Sequence, residues 1–75
     1  MNIYVGNLAP TVNEKDLENE FAKHGQVSSA KIIRDMFTQQ SKGFGFVEMP
    51  STAEAQAAIK ELNTYELQGK RIIVN

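Results

Sequence analysis

The stretch Lys42-Gly43-Phe44-Gly45-Phe46-Val47-Glu48-Met49 decides how this chain folds, because read as a strand it sends two phenylalanines away from its aliphatic residues. Successive strand side chains alternate faces, so Gly43, Gly45, Val47 and Met49 share one face and Lys42, Phe44, Phe46 and Glu48 the other. Val47 and Met49 suit a core. The opposite face then carries two adjacent rings between a lysine and a glutamate, and exposed apolar patches of this kind usually bind something. Unpaired nucleic-acid bases fit the pattern, with flat faces for stacking and a phosphate chain for the cation. The alternative is an ordinary buried strand with both rings in the core. Against it, glycines at 43 and 45 would leave a thin core on their side, and strand glycines weaken a sheet unless a second backbone approaches closely. The lysine would also lack a role.

Working outward, Ile3-Tyr4-Val5-Gly6-Asn7-Leu8 alternates so that Ile3 and Val5 face inward and Tyr4 outward, a third exposed ring. Together the hexamer and octamer resemble the two ribonucleoprotein signatures of the RNA recognition motif, whose octamer reads Lys/Arg, Gly, Phe/Tyr, Gly/Ala, Phe, Val, any residue, Phe/Tyr. Every position but the last matches. Met49 stands where an aromatic residue is usual, but its parity is inward, where a flexible thioether fills similar volume. The departure therefore concerns packing. The resemblance runs from Asn2 to Asn75 and rests on two motifs at the proper separation with the proper elements between them.

Those elements follow from punctuation. Asn7 to Thr11 reads as a loop; Asn13 is a good helix cap, with Glu14 and Asp16 favoured at a positive helix end, and Leu17 and Phe21 form the buried stripe before Gly25 ends the helix. Val27 to Arg34 reads as a strand with Ala30 and Ile32 inward and a bulge recovering Val27 for the core. Asp35 to Ser41 is a polar loop, and Pro50 closes the octamer strand because it cannot continue a ladder. Ser51 and Glu54 form a capping box for a helix burying Ala55, Ala58, Ile59 and Leu62. A turn follows over Asn63 to Gly69, with a short extended piece burying Leu67, and Arg71 to Val74 is the last strand, Ile72 and Val74 inward. The order strand, helix, strand, strand, helix, strand specifies an α+β fold, the ferredoxin-like βαββαβ sandwich: a four-stranded antiparallel sheet with two helices on one face.

A chain of 75 residues makes one small domain, and residues 1–75 are expected to be a single recognition unit. The absence of cysteine excludes disulfides and thiolate metal ligands and fits a reducing compartment. No cationic and apolar leader precedes the first strand and no apolar run approaches the roughly 20 residues a membrane helix needs. A soluble protein of the cytoplasm, or of the nucleus in a eukaryote, is expected. Nine acids against eight bases leave a net charge of −1, which argues mildly against a polyanionic partner. Distribution argues the other way: Glu14, Asp16, Glu18, Glu20, Glu54 and Glu61 belong to helices, while Lys31, Arg34, Lys42, Lys70 and Arg71 belong to strands or their ends, and a locally positive sheet steers a polyanion even on an acidic body.

The resemblance implies roles residue by residue. Tyr4 and Phe44 are the rings on which successive bases stack, Phe46 lies against the sugars between them, Lys42 meets a phosphate and Asn75 hydrogen-bonds a base edge. Apart from the resemblance, the charge and strand positions of Lys31 and Arg71 make them further candidate cations for the backbone. Two departures lower the expected affinity: Ile73 occupies a sheet-facing position that is often basic in the family, and the loop Met36-Phe37-Thr38-Gln39-Gln40 carries no base. Phe37 is either an added stacking ring or a ring folded back on its own loop.

Other chemistry is poorly supported. His24, the only histidine, has neither a cysteine nor a second histidine for a metal and suits a helix carboxyl end. Gly43-x-Gly45 lacks the rest of a phosphate loop. The fold also hosts small acyl phosphatases, but Asn7 to Asn13 contains no arginine to hold a phosphate, and fold alone confers no activity. The expected function is a single-stranded RNA-binding module of modest affinity, with single-stranded DNA as the alternative ligand, acting without catalysis, cofactor, metal or membrane and as a monomer. It resembles small bacterial RNA-binding proteins or one module of a glycine-rich RNA-binding protein. The rival is a protein-interaction module of the same fold.

Overall fold

The structure, a computed structural model, describes residues 1–75, and its elements follow the hydrophobic periodicities closely. Strand β1 spans Asn2–Gly6 and completely buries Ile3 and Val5. Helix α1 spans Glu14–Ala22. Its start is fixed by a reciprocal capping box: the Asp16 N–H donates to Asn13 Oδ1 at 2.8 Å, and the Asn13 N–H donates to Asp16 Oδ2 at 3.1 Å. Its buried stripe is Leu17 and Phe21. Strands β2 (Ser29–Arg34) and β3 (Ser41–Glu48) follow, then α2 (Thr52–Leu62), which buries Ala55, Ala58 and Leu62. The chain closes with a small hairpin, β4 (Glu66–Leu67) and β5 (Lys70–Arg71), and a final strand β6 (Ile73–Val74).

The main sheet is antiparallel in the order β2-β3-β1-β6, and both helices contribute to one core with the inward residues Ile3, Val5, Ile32, Val47, Met49 and Val74. This is the ferredoxin-like sandwich, with one face of the sheet left uncovered. Met49 is fully buried, in agreement with its parity.

Three expectations need correction. The second strand begins at Ser29, not Val27, and the irregularity lies at its other end. Between the pairs Ile32–Gly45 and Arg34–Ser41, β3 carries more chain than β2, and the surplus is taken up around Gly43, whose φ of 88° only glycine adopts without strain. Val27 packs against the core from the preceding connection, with no bulge to turn it inward. In α2 only half of a capping box forms: Ser51 Oγ accepts from the Glu54 N–H at 3.2 Å, while the Glu54 carboxylate reaches across to the Gln26 N–H at 3.0 Å. The segment read as one last strand is split at Ile72. That residue is fully buried and exchanges backbone hydrogen bonds with Thr64 and Tyr65, so Arg71 belongs to the hairpin and Ile73 to the sheet. The loop after β1, where the sequence placed it, also contributes to the core. Leu8, Ala9 and Val12 are buried, and the Leu8 N–H donates to the Gly43 carbonyl at 2.8 Å, fastening the loop to the bulge of β3.

Gly45 marks the closest approach in the sheet. A Cβ there would collide with the Lys31 carbonyl oxygen and lie 3.1 Å from Ile32 Cα, both backbone atoms with little freedom to retreat. Gly45→Ala should therefore destabilise the domain in urea unfolding, against the usual gain of roughly 0.5–1 kcal/mol for alanine over glycine within a strand. Phe21→Ala, which empties the largest fully buried side chain, should cost about 3–5 kcal/mol.

Candidate nucleic-acid interface

Register alone assembles the uncovered face. Lys31 stands directly opposite Phe46, and Phe46 opposite Tyr4. Tyr4 in turn exchanges both backbone hydrogen bonds with Asn75: its N–H donates to the Asn75 carbonyl at 2.8 Å, and its carbonyl accepts from the Asn75 N–H at 3.0 Å. Directly opposed residues share a face. Lys31, Phe46, Tyr4 and Asn75 thus make one row across the sheet, a cation at one end, an amide at the other and two rings between. Continuing the same register sets Phe44 beside Gly6, which faces Ile73, so the next row is wholly apolar.

The three rings touch one another. Tyr4 and Phe44 are stacked with centroids 6.1 Å apart, and Phe46 meets Tyr4 at 5.9 Å and Phe44 at 6.3 Å in edge-on geometry. These are favourable aromatic arrangements, and rings already held by each other lose less freedom when a ligand settles on them. Tyr4 is 37% exposed and the two phenylalanines are half-buried, so each keeps an accessible side. The alternative of a wholly buried strand is excluded.

Gly6 is a member of this site that the sequence reading missed. A Cβ on it would meet the Tyr4 hydroxyl at 2.5 Å and two ring carbons at 2.8 and 2.9 Å, which means that the tyrosine lies down over the glycine. The signal was present in the spacing, since residues two apart on a strand share a face.

The cations divide. Lys31 is exposed, sits in the ring row and makes no ion pair. Lys42 is exposed at the start of β3, on the margin of the platform beyond the Gly43 bulge. Arg71 lies in the β4–β5 hairpin, outside the four-stranded sheet, and its Nη1 donates to the Thr64 carbonyl at 3.0 Å. Arg34, counted with the sheet cations from sequence, is turned to α1: Nη2 and Nε donate to the Glu14 carboxylate at 2.8 and 3.3 Å. That hydrogen-bonded pairing holds Glu14 below the usual carboxylate range.

The β2–β3 loop is tied from within. Asp35 Oδ1 accepts from the Thr38 N–H at 3.0 Å and the Phe37 N–H at 2.9 Å; these bonds hold its carboxyl below the ordinary value, with the nearby Lys42 charge adding to the effect. Arg34 Nη1 donates to the Gln39 carbonyl at 3.4 Å. Held in this way, the loop projects Met36 and Phe37 into solvent, the ring 90% exposed and not folded back.

Comparison with known proteins agrees with this geometry. The family model described as the RNA recognition motif matches residues 3–73. The chain belongs to the RNA recognition motif family. It is 49% identical over 73 residues to small ribosomal subunit protein cS22 of Arabidopsis thaliana, covering 97% of this chain and 29% of that protein. It is 44% identical over 73 residues to glycine-rich RNA-binding protein 1 of Mycosarcoma maydis, again covering 97% of this chain and 42% of the relative. The chain thus spans less than half the length of these curated relatives. Among solved structures, RNA binding protein PG1 superposes with a TM-score of 0.97 at 49% identity, covering 100% of this chain and 90% of the other. A Sxl-lethal protein/RNA complex superposes with a TM-score of 0.92 at 34% identity, covering 99% of this chain and 46% of the other.

Two expectations follow for this recognition motif. Gly6→Ala should lift the Tyr4 ring without unfolding the sheet; in NMR spectra the ring shifts of Tyr4 and Phe44 should change while the methyl shifts of Leu17 and Val47 do not. Because Asp35 and Glu14 titrate below their ordinary values in the folded state, the ties they make are complete above the ordinary carboxylate range. They are lost as pH falls through the depressed values. Amide exchange at Phe37 and Thr38 should accelerate in that acid window, and in Asp35→Ala it should be fast already at neutral pH.

Proposed function

We propose that this chain is a single-stranded RNA-binding module that stacks bases on the rings of its open sheet face. The observation that carries the proposal is the mutually packed cluster of Tyr4, Phe44 and Phe46, set in a row with Lys31 and Asn75 on the face the helices leave bare. In this reading Tyr4 and Phe44 each take a base, Phe46 lies against the intervening sugars, and Lys31 and Lys42 meet phosphates. Arg71 approaches the same strand from the hairpin, and the Asn75 amide contacts a base edge. Base stacking tolerates many sequences, and the few free cations give modest affinity.

Residues 1–75 act in this proposal as one recognition unit, a monomer that binds without catalysis, cofactor or metal. Single-stranded DNA offers the same ring faces and phosphates and lacks only the 2′-hydroxyl. No helix is long and apolar enough to cross a membrane, and the cytoplasm is the proposed compartment, or the nucleus in a eukaryote.

Mutation and salt separate stacking from charge. Phe44→Ala should cost about 1–3 kcal/mol of binding, the worth of one stacked base, with little loss of stability. If Lys31, Lys42 and Arg71 each meet one phosphate, log K against log salt should fall with a slope near −2, at about −0.7 per phosphate on a single strand. Lys42→Ala should flatten that slope by about 0.7 and weaken all sequences alike, whereas Tyr4→Ala should weaken binding at unchanged slope. Absence of oligonucleotide binding alongside capture of a peptide from a panel would transfer the proposal to the protein-interaction class.

A further inference from the structure

Beyond the ring row lies a third row that none of the stacking roles uses. Glu48 is paired with Ser29 on β2 and with Asn2 on β1, and it follows Phe46 by two residues. Its neighbours Val47 and Met49 are fully buried, so its carboxylate stands on the open face, next to the rings. The row therefore presents a hydroxyl, a carboxylate and a primary amide side by side. Directly opposed residues have Cβ atoms about 4.5–5.5 Å apart, close enough for neighbours to contact one base edge together.

A carboxylate at this place is unfavourable for backbone binding. It lies within a Debye length, about 8–10 Å, of any phosphate chain that follows the rings, and it repels every sequence equally. The repulsion is offset only if the bound base supplies donors. Only Oε1 is engaged, at 3.3 Å from the α-amine of Met1, an exposed pair of the kind that contributes little.

We infer that Glu48 is a base-reading residue, selecting guanine for the nucleotide that stacks on Tyr4, the base-bearing ring of the adjacent row. The inference rests on the RNA-binding reading above. The Watson–Crick edge of guanine alone places two donors, N1–H and an N2 hydrogen, side by side, matching the two oxygens of a carboxylate. Adenine and cytosine each offer one amino donor next to a ring-nitrogen acceptor, and uracil one imino donor between two carbonyls. The acceptors of these bases would face the carboxylate without a proton. The Asn2 amide, directly opposite, is placed to donate to guanine O6. Single-stranded bases are read on this edge, and bidentate contacts to charged groups are the strong ones.

The test is a binding series with short oligouridylates carrying one guanosine, adenosine, cytidine or inosine at each position in turn. The wild-type chain should prefer guanosine at one position by about tenfold or more, within the range of one bidentate base contact. Inosine, which lacks the N2 amino group, should lose most of that preference. Glu48→Gln, isosteric and at a surface position, should abolish it while leaving the all-uridine affinity equal or higher. A guanosine preference that survives Glu48→Gln, or a wild-type chain that binds oligonucleotides with no such preference, overturns this assignment and leaves the RNA-binding reading standing. A wild-type chain that binds no member of the series overturns both.

Discussion

The pairing of β3 with β1 keeps the two faces of the sheet chemically distinct, and the other features of the molecule are arranged around it. With Ile3 opposite Val47 and Tyr4 opposite Phe46, aliphatic residues meet aliphatic residues on the helix side and rings meet rings on the bare side. A slip of one residue would exchange the faces, placing Phe44 and Phe46 beneath the helices and Val47 in water. Several contacts oppose such a slip. Gly45 admits the β2 backbone at a distance no side chain would allow, and the Gly43 carbonyl holds the Leu8 N–H. The glycines of the octamer thus fix the position of the strand, and the phenylalanines between them gain their orientation from that position.

Charge is partitioned by the same division. Arg34 faces α1 and binds Glu14, so the helical acid is partly neutralised at the expense of the sheet. Lys15 and Lys23 are paired with Glu18 and Glu20 along α1. These are exposed pairs of small energetic weight, yet they leave Lys31 and Lys42 as the unpaired cations closest to the rings. A net charge of −1 is compatible with a polyanionic ligand because the acids lie mainly on the covered side of the sheet.

The sequence made the fold legible wherever one residue's parity or cap was sufficient. Met49, Leu17, Phe21, Ile72 and Val74 are all buried as their spacing implied, and the ring trio follows from alternation. What stayed hidden depended on a second chain segment. The true place of the bulge is set by the unequal lengths of β2 and β3 between shared pairs, and neither strand reveals this alone. Glu54 was free to complete a capping box until Gln26 offered an unpaired N–H. Arg34 looked like a sheet cation because its pairing with Glu14 is made across elements far apart in sequence. Leu8, Ala9 and Val12 are buried in a loop that has no periodicity to read. Within the site, Gly6 was missed because its role is to be absent beneath the Tyr4 ring.

In the proposed binding mode, stacking on Tyr4 and Phe44 would supply adhesion but little discrimination, since every base has a π-face. Phosphate contacts add none. Any selectivity of this surface must then come from polar groups that border the rings on the same face, and the register limits them to few places. Asn75 closes the ring row on one side, and Ser29, Glu48 and Asn2 form the row beyond Phe46. The apolar row of Phe44, Gly6 and Ile73 has no group to read a base edge. In the proposed binding mode, base discrimination would therefore fall to the end bearing Asn2 and Glu48 and to the row ends bearing Asn75 and Lys31, while the centre would hold whatever base is presented to it.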